Sequence, residues 1–264
     1  MPMNNRLLVP RKTPGLLDLV PGAAAAYSLR SLSNSYAGPV VTVRRSSDNT
    51  EEDFTAAEVS DGTLAAFCGA GDGFVKQWWD QSGNARHAAA AADANEPKIV
   101  DSGVVILKEG KPALLFDGTN DYMDAASVIV SQPDTVFAVV NRVTSISTHV
   151  FDGITTRQVL LVNTINQETF FAGTAVASAS LAATGESVLY SVFFNGAASS
   201  MYRNGVNIAS GDVGTNSLSG LRIGAFSPTG ANHDGAIQEL IIYPSDLSSQ
   251  RELIEGQIAW SFSQ

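Results

Sequence analysis

The chain has 264 residues, 44% of them hydrophobic and only 16% charged, with a formal net charge of −10. That length and apolar share allow a sizeable core in one all-β domain, with a surface resting on Ser, Thr, Asn and Gly more than on charge. The acidic balance excludes a nucleic-acid groove binder, which needs clustered Lys and Arg, and no apolar run reaches the length of a membrane span.

Residues 1–14 (MPMNNRLLVPRKTP) read as an arm. Pro2, Pro10 and Pro14 oppose helix and central-strand pairing. Arg6, Arg11 and Lys12 contrast with the acidic body, and Leu7, Leu8 and Val9 form an apolar trio. Such a segment is expected to order against a neighbouring chain. Met1 to Thr13 lacks the apolar centre of a signal peptide, so synthesis in a reducing cytoplasm without a cleaved leader is expected.

Residues 15–264 are expected to form one domain. Helix is predicted over 15–35, where the run Ala23–Ala26 favours a turn or two beside the break at Pro21–Gly22. A strand follows in VVTVRRS (40–46), then a helix over 54–70 broken at Asp61–Gly62. Cys68 is the single cysteine, which excludes an intramolecular disulfide and reads as a small buried apolar residue.

From 74 to 243 the text becomes short apolar or alternating runs, such as FVKQWWD, DTVFAVVNRV and AIQELIIY, bounded by Gly, Asn or Asp. That spacing predicts an antiparallel sandwich rather than βαβ units. Asn204–Gly205 supplies the two positive φ angles of a type I′ hairpin turn. A helix is predicted over 246–262, capped by Ser245 or Asp246, with Leu247, Ile254, Ile258 and Phe262 near helical spacing.

Trp78 and Trp79 point to opposite sides of a strand, so one is core. The other can offer a platform to a sugar ring beside Asp80, Asn84, Arg86 and His87, or pack under the helices. Asp80–Gln81–Ser82–Gly83–Asn84 carries the chemistry of a tight turn, which explains Asp80 better than a catalytic role. Asp117, Asp121 and Asp124 suggest either Ca²⁺ ligands or a solvated turn, and ligand number favours the turn. His87, His149 and His233 show no metal-ligand spacing. No nucleophile elbow or phosphate loop is present. No metal and no cofactor are expected.

ALLFDGTNDYM (113–123), SMYRNGVNI (200–208) and LRIGAFSPTGANHDGAIQELIIYPSDLSSQR (221–251) resemble laminin-G-like and concanavalin A-like modules. The resemblance implies an all-β, concanavalin A-like antiparallel β-sandwich (jelly roll), with short helices on its N-terminal side and a C-terminal helix. Such a scaffold carries lectins, enzymes and structural modules alike.

AAYSLR (25–30), VRRSSDN (43–49) and FCGAGDGFVKQWWDQSGN (67–84) resemble the catalytic domain of family 54-type α-L-arabinofuranosidases. Carried over by hand, that family's nucleophile falls at Gln167, its acid/base at Phe226 and its second cysteine at Gly73. A retaining glycosidase needs two carboxylates about 5 Å apart. Gln cannot form the glycosyl ester and Phe cannot donate a proton. Glu168 is one residue away, on the opposite face of its strand. The resemblance thus implies the scaffold and argues against the activity.

MPMNNRLLVPR, together with the GAAAAYSLR, VRRSSDN and WWDQSGN strings, resembles virion proteins of tailed bacteriophages. The expectation is a virion structural protein of tail fibre, tail tip or capsid decoration, without enzyme activity. It would be made in the bacterial host cytoplasm and located in the virion. Its partners would be other virion proteins, further copies of itself and host surface glycans, with no nucleic acid and no membrane insertion. The alternative is an arabinofuranosidase-like glycoside hydrolase acting on surface polysaccharide.

Overall fold

A computed structural model describes residues 13–143, 148–226 and 230–258. The first part of the chain forms β1 (Ala25–Ser28), β2 (Val41–Arg45), β3 (Glu51–Phe54), β4 (Gly73–Trp78), β5 (Ala88–Ala89) and β6 (Lys98–Asp101). The middle forms β7 (Val104–Val105), β8 (Leu107–Lys108), β9 (Lys111–Pro112), β10 (Leu114–Asp117), β11 (Met123–Val130) and β12 (Asp134–Arg142). Then come β13 (Thr148–Thr156), β14 (Val159–Val162), β15 (Glu168–Phe171) and β16 (Ala175–Ala177). The last part forms β17 (Ser187–Phe194), β18 (Ser199–Arg203), β19 (Val206–Gly211), β20 (Leu218–Ile223) and β21 (Asp234–Tyr243). The α-helices are α1 (Leu16–Leu19), α2 (Ala56–Ser60), α3 (Thr63–Cys68) and α4 (Arg251–Gln257). The chain is all-β and antiparallel, with little helix.

Most strands pair in two runs, joined at one side where β6 pairs with β10 of the first and β4 of the second. The first reads β19–β18–β17–β12–β21, with β1 and β10 side by side along the far edge of β21. The second reads β3–β2–β4–β5–β11–β20–β13–β14–β15–β16. They face one another across the main core. Phe151 of β13 and Phe170 of β15 meet Phe194 of β17 edge-on, at 6.5 and 6.0 Å, a favoured aromatic geometry.

The first run is apolar on both faces. Its outer face (Phe137, Val139, Phe193, Ile241, Tyr243) is covered by Leu16 of α1 and Ile254 of α4. This is why β12, β17 and β21 read as almost continuous apolar text rather than alternating text. The second run alternates: Met123, Ala125, Phe151, Leu221 and Ile223 enter the main core, and the side chains between them point the other way.

Several sequence expectations need correction. The alanine run is not helical: Ala25–Ser28 is β1, fully buried and paired with Glu239–Ile242. Burial against β21 overrides the helix propensity of alanine. Helix within 15–35 reduces to α1, and 54–70 divides into α2 and α3 at Gly62, whose φ is +98°. Ser245 and Asp246 do not cap the last helix. Asp246 receives the Ser248 N–H, a 3₁₀ turn follows, and α4 starts only at Arg251. The hairpin holds: Asn204 and Gly205 have φ of 49° and 78°, with Arg203 opposite Val206. The arm residues Arg6, Leu7, Leu8, Val9, Arg11 and Lys12, and Phe262, lie outside the described residues.

Candidate functional site

Residues directly opposite in a ladder share a face. Asp124 of β11 lies opposite Arg222 of β20, which lies opposite Asp152 of β13. In the other direction Asp124 lies opposite Ala89, Ala89 opposite Gln77, Gln77 opposite Thr42 and Thr42 opposite Asp53. One row of side chains therefore crosses the second run on the face turned away from the main core.

At its centre Arg222 holds Asp124 with two parallel bonds, Nε to Oδ1 at 2.8 Å and Nη2 to Oδ2 at 2.7 Å. This bidentate geometry is the strong form of the ion pair. It raises the Arg222 pKa, and Asp152 adds to the effect. The Arg222 guanidinium also sits 4.2 Å from the Tyr122 ring centroid. Asp152 is fully buried and accepts Arg157 Nε on both oxygens, at 3.2 and 3.0 Å. Arg157 in turn covers Phe226 at 4.5 Å and Phe171 at 5.4 Å. The His149 ring packs 5.4 Å from Phe226. Burial, and then the charge of Arg157, push its pKa down to about 4, so it is neutral above acid pH.

A cavity of about 250 Å³ opens beside Arg222, lined by Tyr122 and Phe226 and by the amides of Asn95, Asn120 and Asn232. Its wall is a fixed turn: Asp117 receives the Thr119 and Asn120 N–H groups at 2.7 and 3.2 Å, and Asn95 donates to the Asn120 carbonyl at 2.8 Å. Asp121 lies between two cavity-lining residues and accepts the Asp117 N–H at 2.9 Å. Burial, and then the charge of Asp117, push its pKa up to about 7. Asp117, Asp121 and Asp124 thus serve a turn, a buried acid and an ion pair. Among the described residues no three His, Cys, Asp or Glu side chains converge as a metal site requires.

Glu168 faces the other way. It accepts from Tyr190 Oη at 2.7 Å, Arg203 Nη1 at 3.0 Å and Ala182 N–H at 2.9 Å, in the interior. Gln167 is half-buried, and its Oε1 accepts from Asn163. A Cβ on Gly73 would lie 2.7 Å from Cys68 Sγ.

Of the sugar-platform residues, Trp78 is core, 5.8 Å from Tyr27. Trp79 is half-buried, and His87 packs on it at 4.4 Å. Asp80 accepts from the backbone of Ala26, Ser82 and Arg86 and from Ser82 Oγ. Asn84 donates to the Ala23 and Ala24 carbonyls, and Arg86 to that of Ala24. Asp80, Asn84 and Arg86 therefore tie the turn to the segment at β1, while Trp79 and His87 stand on the face of the row. Sequence reasoning did not select Arg222, Asp152, Arg157 or Tyr122. The signal for Arg222 and Asp152 was alternation with core residues on β20 and β13; Tyr122 and Arg157 lie just outside the ends of β11 and β13.

Residues 18–111, a little over a third of the chain, match the family model for the catalytic domain of α-L-arabinofuranosidase B. A search of curated proteins gives no match. Among solved structures, an arabinofuranosidase complexed with arabinofuranosyl-α-1,2-xylobiose is similar at TM-score 0.65 and 15% identity, covering 89% of this chain and 62% of the other. A GH54 α-L-arabinofuranosidase soaked with 4-nitrophenyl α-L-arabinofuranoside, in mutant form, gives TM-score 0.64, 14% identity and the same coverages. A Trypanosoma rangeli sialidase bound to 2,3-difluorosialic acid gives TM-score 0.51 and 18% identity, over 70% of this chain and 31% of its own.

These findings correct the expectation of a phage virion module. The family that matches is an arabinofuranosidase catalytic domain, and solved arabinofuranosidases share the fold. The tail-fibre and capsid-decoration reading and the expected lack of enzyme activity are withdrawn. The strings GAAAAYSLR, VRRSSDN and WWDQSGN that carried the virion reading all lie within residues 18–111, the stretch that matches the arabinofuranosidase model. Gln167, Phe226, Glu168 and Gly73 were the positions on which activity was judged absent; Asp124 was read as part of a turn, and Asp152 was not considered. The chain spans 62% of the length of the solved arabinofuranosidases, and at this identity the likeness establishes a shared fold.

Proposed function

We propose that the chain is a glycoside hydrolase domain of the arabinofuranosidase-like kind, built on a concanavalin A-like sandwich and acting at the Asp124–Arg222–Asp152 row. The observation that carries this is the placement of Asp152 and the Asp124–Arg222 pair on one sheet face beside a cavity lined by amides and aromatic rings, with the buried acid Asp121 in the cavity wall between Asn120 and Tyr122. Sugar sites combine those groups, with few polar contacts fixing orientation against an apolar wall.

Glycoside cleavage needs a carboxylate to stabilise the positive charge that develops on the sugar and a carboxyl to protonate the leaving oxygen. Asp152 takes the first role. Arg157 clamps it, so it reorganises little as the charge forms. Asp121 is the proton source: a carboxyl titrating near neutrality retains a proton and can still release it. Arg222 and Asp124 orient ring hydroxyls, and Phe226 and Tyr122 pack on the apolar ring edges.

The test is release of 4-nitrophenol from a panel of 4-nitrophenyl furanosides and pyranosides, including the α-L-arabinofuranoside. Turnover that falls at least a thousandfold in Asp152→Asn supports the reading. Absence of turnover across the panel, or turnover indifferent to Asp152, sinks it.

A further inference from the structure

Beyond the cleavage site, we infer that Trp79 and His87 form a separate subsite for the chain of a neutral polysaccharide, so that the protein engages a polymer rather than a lone glycoside. The inference rests on the proposed reading for its ligand class.

Trp79 is two residues beyond Gln77 on one continuous stretch, and His87 two residues before Ala89, so both share the face of the row. The step from Trp79 to Arg222 crosses β5 and β11 to β20, three strand spacings or about 14 Å, and two residues along the strands. That is too far for one sugar ring to touch both. Ala89 lies between them, and its single methyl keeps the sheet face low along the path.

The pair is held in advance. Trp79 Nε1 donates to Thr42 Oγ1 at 2.9 Å, and that hydroxyl donates to Asp53 Oδ1 at 2.6 Å. The Asp80 N–H donates to His87 Nδ1 at 3.1 Å, which leaves the His87 proton on Nε2. The four bonds received by Asp80 fix the turn that folds His87 onto Trp79. A partly exposed indole whose only polar atom is already satisfied offers the ring surface that His87 leaves uncovered, the part that stacks on the C–H face of a sugar. Thr42, Gln77 and His87 place hydroxyl, amide and imidazole groups around it. Asp53 and the net charge of −10 oppose an anionic chain.

Affinity electrophoresis of the full chain in gels containing arabinoxylan, or anionic polygalacturonate, reads binding without turnover. Retardation by arabinoxylan is expected, with the apparent Kd raised about tenfold in Trp79→Ala and kept within about threefold in Trp79→Phe. Unchanged retardation of Trp79→Ala, no retardation of the parent chain, or stronger retardation by polygalacturonate overturns the inference. If Trp79→Ala does not fold, the fluorescence change on adding arabinoxylan decides: it should vanish in Trp79→Phe, and its persistence there overturns the subsite. A chain that binds through Trp79 yet cleaves nothing leaves this inference standing and removes the hydrolase reading. Cleavage without Trp79-dependent binding does the reverse.

Discussion

Gln158 donates its amide to Asp134 Oδ1 at 2.8 Å, and the two oxygens left over, Asp134 Oδ2 and Gln158 Oε1, are both buried without a partner among the described residues. A proton on Asp134 closes this pair into a ring of two hydrogen bonds. Burial pushes the Asp134 pKa up to about 7, against the small lowering from Gln158.

The stability consequence has a definite sign. The folded state binds the Asp134 proton more tightly than the unfolded chain, where the pKa is about 3.9. Stability is therefore full below about pH 4, falls as pH rises to about 7, and is level above it, by at most about 4 kcal/mol. Asp134→Asn keeps one donor and one acceptor toward Gln158. It should raise the urea midpoint at pH 8 and flatten the slope between pH 4 and 7. Equal destabilisation at pH 5 and pH 8 would show that the fold needs the ionised carboxylate.

Asp152→Asn should lower turnover about a thousandfold, roughly 4 kcal/mol of transition-state stabilisation. The chain should still fold, because the Arg157 side chain it leaves behind is 37% exposed and finds water. Thermal unfolding followed by circular dichroism, beside the 4-nitrophenol assay, separates loss of chemistry from loss of structure.

Asp121 predicts the alkaline limb of the rate profile. A general acid with a pKa of about 7 loses its proton as pH rises, so kcat/KM should fall above neutrality. Asp121→Asn should abolish that limb and lower the rate below pH 6 by about a hundredfold or more. A limb that survives the substitution assigns the proton to another group.

Gly73→Cys should cross-link to Cys68. The added Cβ lies 2.7 Å from Cys68 Sγ, slightly closer than a relaxed disulfide holds it, so a small local adjustment brings the two sulfurs to bonding distance. Burial pushes the Cys68 pKa up to about 11, so closure should be slow at pH 7 and quicker at pH 9. The short loop predicts about 2 kcal/mol of added stability. Thiol titration should find no free thiol after oxidation; two remaining would refute the placement.

Much of the fold was legible because strand periodicity and turn chemistry are local. Asn204–Gly205 announces its hairpin, and Asp61–Gly62 its helix break. The alanine run misled because nothing local reveals that Ala25–Ser28 pairs with residues more than two hundred positions away. The candidate site was hidden for a related reason. Asp124, Asp152 and Arg222 each resemble an ordinary polar residue of an alternating strand, and only the register of β11, β20 and β13 makes them neighbours. The Trp78–Trp79 pair was visible as a sugar-platform candidate, and the structure decides between the two: Trp78 is core and Trp79 is not.

β21 pairs with β1, β10 and β12. During synthesis the residues of β1 leave the ribosome long before β21 and wait for a partner 217 positions behind them (Ala25 against Ile242). Until then β12 and β10 also keep an unpaired apolar edge. Closure of the first run is thus a late event dominated by long-range contacts, which makes for slow folding and a nascent chain prone to association. Yield in a fast-translating host should be governed by how long those edges stay open, and chaperone supply or slower translation before residue 234 should matter more than the final stability of the domain.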